Sequence, residues 1–193
     1  MNKKLILIGG GGHCKSCIDV IEQAGLYEIS GIIDKPENIG QSVLGYEVIG
    51  KDEHIEELAS EGFDFFITVG HIRTSQIRQN LFNELLRCNA SIATIISPRA
   101  YVSKHAVIEK GTIIMHDALI NTGAHIGENC IINSKALVEH DVEVGRHCHI
   151  STGSIVNGGV VINEGCFWGS NATSKESIVV GANCFVKAGS VVK

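Results

Sequence analysis

The apolar positions of this chain follow one rule up to residue 93 and another from residue 94 onward. In the first part they come as short runs and at helical spacing. KLILI (4–8) predicts a buried strand; the turn GGGG (9–12) follows, and HCKSCIDVIEQAG predicts an amphipathic helix. YEISGIID predicts a second strand ending at Asp34, PENIG a polar loop, and DEHIEELAS a short helix. FDFFITVG (63–70) predicts another buried strand, TSQIRQNLFNELLRC a helix, and SIATII the entry to the second part. The order β-α-β-loop-α-β-α-β predicts a parallel sheet with a glycine-rich first crossover.

From Thr94 the chain divides into six-residue blocks without insertion, beginning TIISPR, AYVSKH, AVIEKG and ending IVVGAN, CFVKAG, SVVK. Fifteen of the seventeen third positions are Ile or Val, and most first positions are Ala, Thr, Cys or Ser. No helix has period six and a plain strand alternates by two, so the pattern predicts a solenoid. Three such blocks close a triangular coil, with the β-branched third residue pointing inward and a small residue at each corner. Successive coils then stack at about 4.8 Å. Two third positions depart from the rule. Trp168 reads as a core plug, and Ser174, within SNATSKES, predicts a local distortion. Outward residues such as Ile131 and Val161 would leave apolar surface on a single chain, which predicts self-association.

Charge and composition narrow the function classes. A net charge of −5 without a Lys/Arg-rich run argues against a nucleic-acid surface. No stretch approaches the roughly 18 apolar residues of a membrane span. The start, MNKKLILIGGGGH, has too short an apolar run and no cleavage site for a signal peptide. Seven cysteines, an odd count, favour reduced thiols and a cytoplasmic protein. Cys130, Cys148, Cys166 and Cys184 recur every eighteen residues, continuing Thr94 and Thr112, and so read as corner fillers in one column.

Two stretches carry candidate chemistry. In the turn Gly9–Gly12, backbone amides and a helix N-terminus can cradle phosphate oxygens. The dinucleotide fingerprint starting at Gly9 lacks its last glycine, because Cys14 stands there. A single nucleotide fits better than NAD, with its pyrophosphate near Gly10, Gly11 and Gly12 and Asp34 in reach of base or ribose. A sheet about half the size of a full doubly wound domain argues the same way. The other stretch, ALVEHDVEVGRHCHISTG (136–153), holds His140, His147 and His149. Their block positions are five, six and two, so none points inward and they fall in three separate columns. Zinc needs ligands converging at about 2.1 Å, so no metal is expected. His147 and His125 read as surface or interface residues.

A small nucleotide-binding fold joined to this solenoid resembles the sugar O-/N-acetyltransferases. That family acetylates sialic acid or nucleotide-linked 4-amino-4,6-dideoxy sugars. The resemblance rests on IGGGGHCKSCIDVI, on FFITVG with its helix, and on INSKALVEHDVEVGRHCHISTGSIVNGG. It implies an α/β N-terminal half-Rossmann domain, residues 1–93, followed by a left-handed parallel β-helix of hexapeptide repeats, residues 94–193. It also implies direct acetyl transfer from acetyl-CoA, without an acyl-enzyme or a metal. His140 would be the general base, a role suited to an imidazole that titrates near neutrality, with Asp141 holding its tautomer. Asn133 would lie beside the acceptor, His149 near the acetyl group, and Gly158 and Ala188 along the pantetheine arm. His13, Asp34 and Gly70 would line the nucleotide-sugar pocket.

A homotrimer with active sites between subunits is implied as well. Two departures stand out: His71 follows the strand where relatives often carry Asn or Asp, and no proline-containing tail follows the last repeat. The GGGGH turn favours an amine on a nucleotide-linked sugar as acceptor. The alternatives are O-acetylation of sialic acid or a related hydroxyl, and a non-catalytic trimeric nucleotide-sugar-binding scaffold.

Overall fold

The computed structural model describes residues 2–193. Two compact units divide the chain: one runs up to Gly70 and includes Ile77–Ala93, and the other joins His71–Gln76 to Thr94–Lys193. The short segment after Gly70 therefore belongs with the repeats, although no repeat pattern marks it.

In the first unit, β1 (Lys3–Ile8) lies at the centre, parallel to β2 (Tyr27–Ile33) on one side and β5 (Asp64–Ile67) on the other. Leu5 to Ile8 are all buried, the continuous apolar run that a parallel strand needs when both faces are covered. Between them, α1 (Gly12–Ala24) buries Cys14, Cys17, Ile18, Val20 and Ile21. It stops at Gly25, whose left-handed φ of 64° lets its N–H donate to Ile21 O at 3.1 Å.

The polar loop expected after Asp34 contains a hairpin instead. Its strands are β3 (Ser42–Val43) and β4 (Tyr46–Gly50); they pair antiparallel, and β4 joins the sheet parallel to β2. Leu44 and Gly45, with φ of 50° and 89°, make the reversal. Val48 and Gly50 are buried while Glu47 and Ile49 are exposed, the alternation of a half-covered strand. With α2 (Ile55–Ser60), α3 (Gln76–Arg87) and the short β6 (Ser91–Ile92), the sheet has six strands in the order β3-β4-β2-β1-β5-β6. It is neither wholly parallel nor half-sized by strand number, since the hairpin adds an antiparallel edge.

The second unit stacks two-residue strands into three parallel sheets of six, six and five strands. Each strand pairs with the one eighteen residues on, as Ile113 with Ile131, Leu119 with Leu137 and His125 with Glu143. The backbone bonds link coil to coil: Ile113 N–H donates to Cys130 O at 3.0 Å and Met115 N–H to Ile132 O at 2.9 Å. The corners turn on the sixth block position. Asp117, Asn129, Lys135, Asp141, His147, Asn171, Ser177 and Asn183 hold φ between 55° and 61°, and glycines occupy most of the equivalent places.

Third-position residues from Ile114 to Val180 are buried together with the small first-position residues. In the cysteine column three thiols donate across their corners, Cys130 Sγ to Gly145 O, Cys148 to Asn163 O and Cys166 to Gly181 O, at 3.1–3.2 Å. Thr112 Oγ1 makes the same bond to Gly127 O at 2.8 Å. Trp168 fills the coil completely, its Nε1 donating to Ala172 O at 3.1 Å. At Ser174 the distortion is confined to the ladder. Its Oγ accepts the Asn157 N–H at 2.8 Å, and the Asn157 side chain reaches the Ser174 carbonyl.

Three expectations need correction. Ile96, in the first block, is 38 % exposed because no earlier coil packs on it. Ile131, outward by register, is fully buried, so it contributes no apolar surface for self-association. His147 is 6 % exposed rather than a surface residue. Its left-handed φ turns the ring back onto Asn129 of the preceding coil, with 3.0 Å between Nδ1 and Nδ2. His125 does stand exposed, paired with Glu109 at 2.7 Å.

Replacing Trp168 with Ala empties the centre of a coil and is expected to cost about 3–5 kcal/mol. The check is the urea midpoint of unfolding; a midpoint equal to wild type would show that the ring is not a plug.

Candidate functional site

A cleft of about 670 Å³ opens at the end of β1, and Gly10, Gly11, Gly12, His13, Asp34 and Gly70 all line it. Gly9 holds φ at 104°, and a side chain there would run into Val69. No side chain caps α1, which leaves its start open to an anion, although the Cys14 N–H already donates to Gly11 O at 3.0 Å. Gly10, just before the helix, is also taken. Its N–H donates to Asp34 Oδ2 at 3.0 Å, and a Cβ on Gly10 would meet that oxygen at 2.8 Å. Asp34 also accepts from Lys35 N–H at 2.8 Å and from Asn38 Nδ2 at 3.1 Å. This carboxylate thus knots the glycine turn to the loop after β2, which leaves Gly11 and Gly12 as the exposed part of the turn.

The far wall of the cleft is held by Arg78. It is fully buried, and its Nη1 donates to Ile67 O at 2.9 Å and Val69 O at 2.6 Å. The Ile67 carbonyl ends β5 and that of Val69 lies on the path into Gly70. A Cβ on Gly70 would touch His13 Cβ at 3.4 Å, so the two cleft residues are packed together.

In the solenoid, His140 and Asp141 occupy the corner between the second and third faces. His140 Nδ1 lies 2.9 Å from Asp141 Oδ2, and both side chains are exposed. Glycines one coil away on each side make room for the pair. A Cβ on Gly158 would stand 2.7 Å from His140 Nε2 and Cε1, and one on Gly123 would collide with Asp141 Oδ1. Glu139 Oε2 accepts the His140 N–H at 3.2 Å and Asn121 Nδ2 at 2.8 Å. Gly123, Asn121 and Glu139 were not picked out by sequence reasoning. The eighteen-residue column through 121–123 and 139–141 is the signal that would have found them.

Asn133 and His149 form a second group. Asn133 Nδ2 lies 3.2 Å from His149 Nε2, and His149 Nδ1 lies 2.8 Å from the backbone carbonyl of His71. His149 is 7 % exposed, edge-on to Phe167 with ring centroids 5.2 Å apart. By coil register Asn133 and Ala188 lie at the corner between the first and second faces, and His149 lies on the first face. Within one chain the structure thus groups Gly158 with His140 and His149 with Asn133, at different corners. Ala188 is exposed in the last coil, its backbone over Gly169, where a Cβ would clash.

The three histidines of 136–153 serve separate neighbourhoods. Among the described residues, no three His, Cys, Asp or Glu side chains stand together to hold a metal ion. No thiol is paired in a disulfide among the described residues, and burial pushes the Cys14 and Cys17 thiols of α1 up, which keeps them unreactive. No helix among the described residues is long and apolar enough to cross a membrane.

Residues 4–85 match the family described as the PglD N-terminal domain. Residues 105–139 and 123–158 match the bacterial transferase hexapeptide family, and 159–193 match the hexapeptide repeat of succinyl-transferase. Among solved structures, the acetyltransferase domain of PglB from Neisseria gonorrhoeae is 30 % identical with a TM-score of 0.91, covering 100 % of this chain and 92 % of that one. The same domain has been solved in complex with acetyl coenzyme A. PerB from Caulobacter crescentus, in complex with CoA and GDP-perosamine, is 31 % identical with a TM-score of 0.90, covering 98 % of this chain and 88 % of that one. WeeI from Acinetobacter baumannii, at 17 % identity and a TM-score of 0.77, shares the fold. A search of curated protein sequences finds no match. The chain belongs to the sugar acetyltransferases that join a PglD N-terminal domain to a left-handed parallel β-helix of hexapeptide repeats.

Proposed function

We propose that this protein moves the acetyl group of acetyl-CoA to the amine of a nucleotide-linked 4-amino-4,6-dideoxy sugar. The observation that carries the reading is the exposed His140–Asp141 pair, 2.9 Å apart, seated over a glycine that leaves the outer nitrogen of the ring uncovered. Asp141 accepts the Nδ1 proton and so leaves Nε2 basic. Nε2 takes a proton as the acceptor amine attacks the thioester carbonyl. The tetrahedral oxyanion then collapses, the C–S bond breaks, and the proton passes to the leaving thiolate. The products are the acetamido sugar and free CoA.

The domain boundaries support a division of labour. Residues 1–93 hold the nucleotide, with the diphosphate against Gly11, Gly12 and the N-terminus of α1, and His13, Asp34 and Gly70 around the rest. Residues 94–193 carry the transfer, with Asn133 beside the acceptor, His149 near the acetyl group, and Gly158 and Ala188 along the pantetheine arm. PerB, solved with GDP-perosamine and CoA, supports this choice of substrates.

His140 and Asn133 sit at different corners of one coil, so a site using both draws them from two copies, as in a trimer. Free thiols throughout fit a reducing cytoplasm.

His140→Ala is expected to lower acetyl transfer by about 10²–10⁴-fold, measured as thiol release from acetyl-CoA. Near wild-type turnover in that variant would sink the mechanism. In a turnover screen of UDP-, GDP- and CMP-linked sugars, one amino sugar should stand out. Turnover with a free sialic acid instead would move the acceptor to a hydroxyl, and a melting shift with NADH alone would overturn the nucleotide assignment. Mixing His140→Ala with Asn133→Ala subunits after dissociation should recover activity that neither has alone. Sedimentation as a monomer, or no recovery in the mixture, would confine the site to one chain.

A further inference from the structure

His149 sits in a chain of hydrogen bonds whose polarity is determined from both ends. At one end the acceptor is a backbone carbonyl, His71 O, which requires the hydrogen to lie on His149 Nδ1. A neutral ring protonated at Nδ1 has only a lone pair at Nε2. At the other end the Ser134 N–H donates to Asn133 Oδ1 at 2.8 Å, which identifies that atom as the amide oxygen. The amide nitrogen, 3.2 Å from Nε2, must therefore donate to the ring. Both assignments agree, with no freedom for an amide flip or a tautomer change. Ring walls add a third constraint, since Phe167 and His71 meet the His149 ring edge-on at centroid distances of 5.2 and 5.4 Å.

One Nδ2 hydrogen of Asn133 is committed to His149, and the second remains. We infer that His149 is a positioning residue: through it, the His71 carbonyl orients the Asn133 carboxamide to present a single N–H donor to an oxygen of the bound substrates. This differs from the direct contact with the acetyl group that the family resemblance implies. It also leaves Asn133 Oδ1 already accepting one bond from the Ser134 N–H, so the Nδ2 hydrogen is the group of this side chain not yet engaged within the chain of bonds. Protonating His149 would set N–H against N–H and break the chain, so the arrangement exists only with a neutral ring. The inference rests on the acetyl-transfer reading above for what the donor meets, and on geometry alone for its direction.

Two measurements test it on the full-length protein. In the first, His149 is labelled with ¹⁵N and its ring shifts are read at neutral pH. Protonated Nδ1 with a pyridine-like Nε2 is expected; a hydrogen on Nε2 overturns the inference whatever the activity. The second is a double-mutant cycle in acetyl transfer. His149→Phe keeps the aromatic packing and removes both bonds, and it should lower kcat by about 10- to 100-fold, the scale of a small misplacement. Acetyl-CoA KM should stay within about twofold, and the double variant with Asn133→Ala should be no slower than Asn133→Ala alone. A raised acetyl-CoA KM at unchanged kcat, or losses that multiply, would make His149 a direct cofactor contact. Wild-type protein without acetyl transfer, or an active His140→Ala, defeats the broader reading and leaves the tautomer result standing.

Discussion

Everything in the second unit depends on the backbone ladder that ties each coil to the next at a spacing of eighteen residues. Parallel strands only two residues long cannot hold a sheet by themselves. They hold here because every face repeats the same register and every corner from Gly111 onward takes the same left-handed turn. The consequence is that side chains stack in columns. Arg99 meets Asp117, Lys110 meets Glu128 and Arg146 meets Glu164, all one coil apart. These exposed pairs are the solenoid's version of cross-strand neighbours and contribute little individually. The buried column of Thr112, Cys130, Cys148 and Cys166 does more, since each of these hands a hydrogen bond to a corner carbonyl inside the coil.

The same stacking builds the candidate site. A corner residue can stand clear of the solenoid only if its column neighbours leave it room. His140 has Gly158 on one side and Asp141 has Gly123 on the other, and a methyl group at either glycine would displace the pair. Asp141 holds the left-handed corner conformation itself, with φ of 58°. One residue thus turns the chain and orients the imidazole. Glu139 and Asn121, linked across coils, fasten the turn through the His140 amide.

In the first unit the governing contact is between Asp34 and the Gly10 amide. It closes the glycine turn on one side, while Arg78 closes the cleft on the other through the carbonyls of Ile67 and Val69. A buried arginine whose Nη1 spans two backbone carbonyls is a strong organiser, because its donors are rigid and always charged. Sequence alone could place Asp34 at a strand end, but its value to the turn follows from the side chain folding back. The hairpin before Gly50 escaped notice for a simpler reason: two strands of two and five residues hide within a polar stretch.

Periodicity in the sequence determined the coil, its inward residues, the cysteine column and the separation of His140, His147 and His149, because each of these follows from local register. Tertiary structure alone decided that Ile131 and His147 are buried and that the carbonyl of His71, seventy-eight residues away, sets the tautomer of His149. The physical reason is that a repeat reports where a side chain sits within its own coil. What covers that side chain, and which atom receives its proton, depends on segments such as His71–Gln76 that carry no period and reach the coils only through folding.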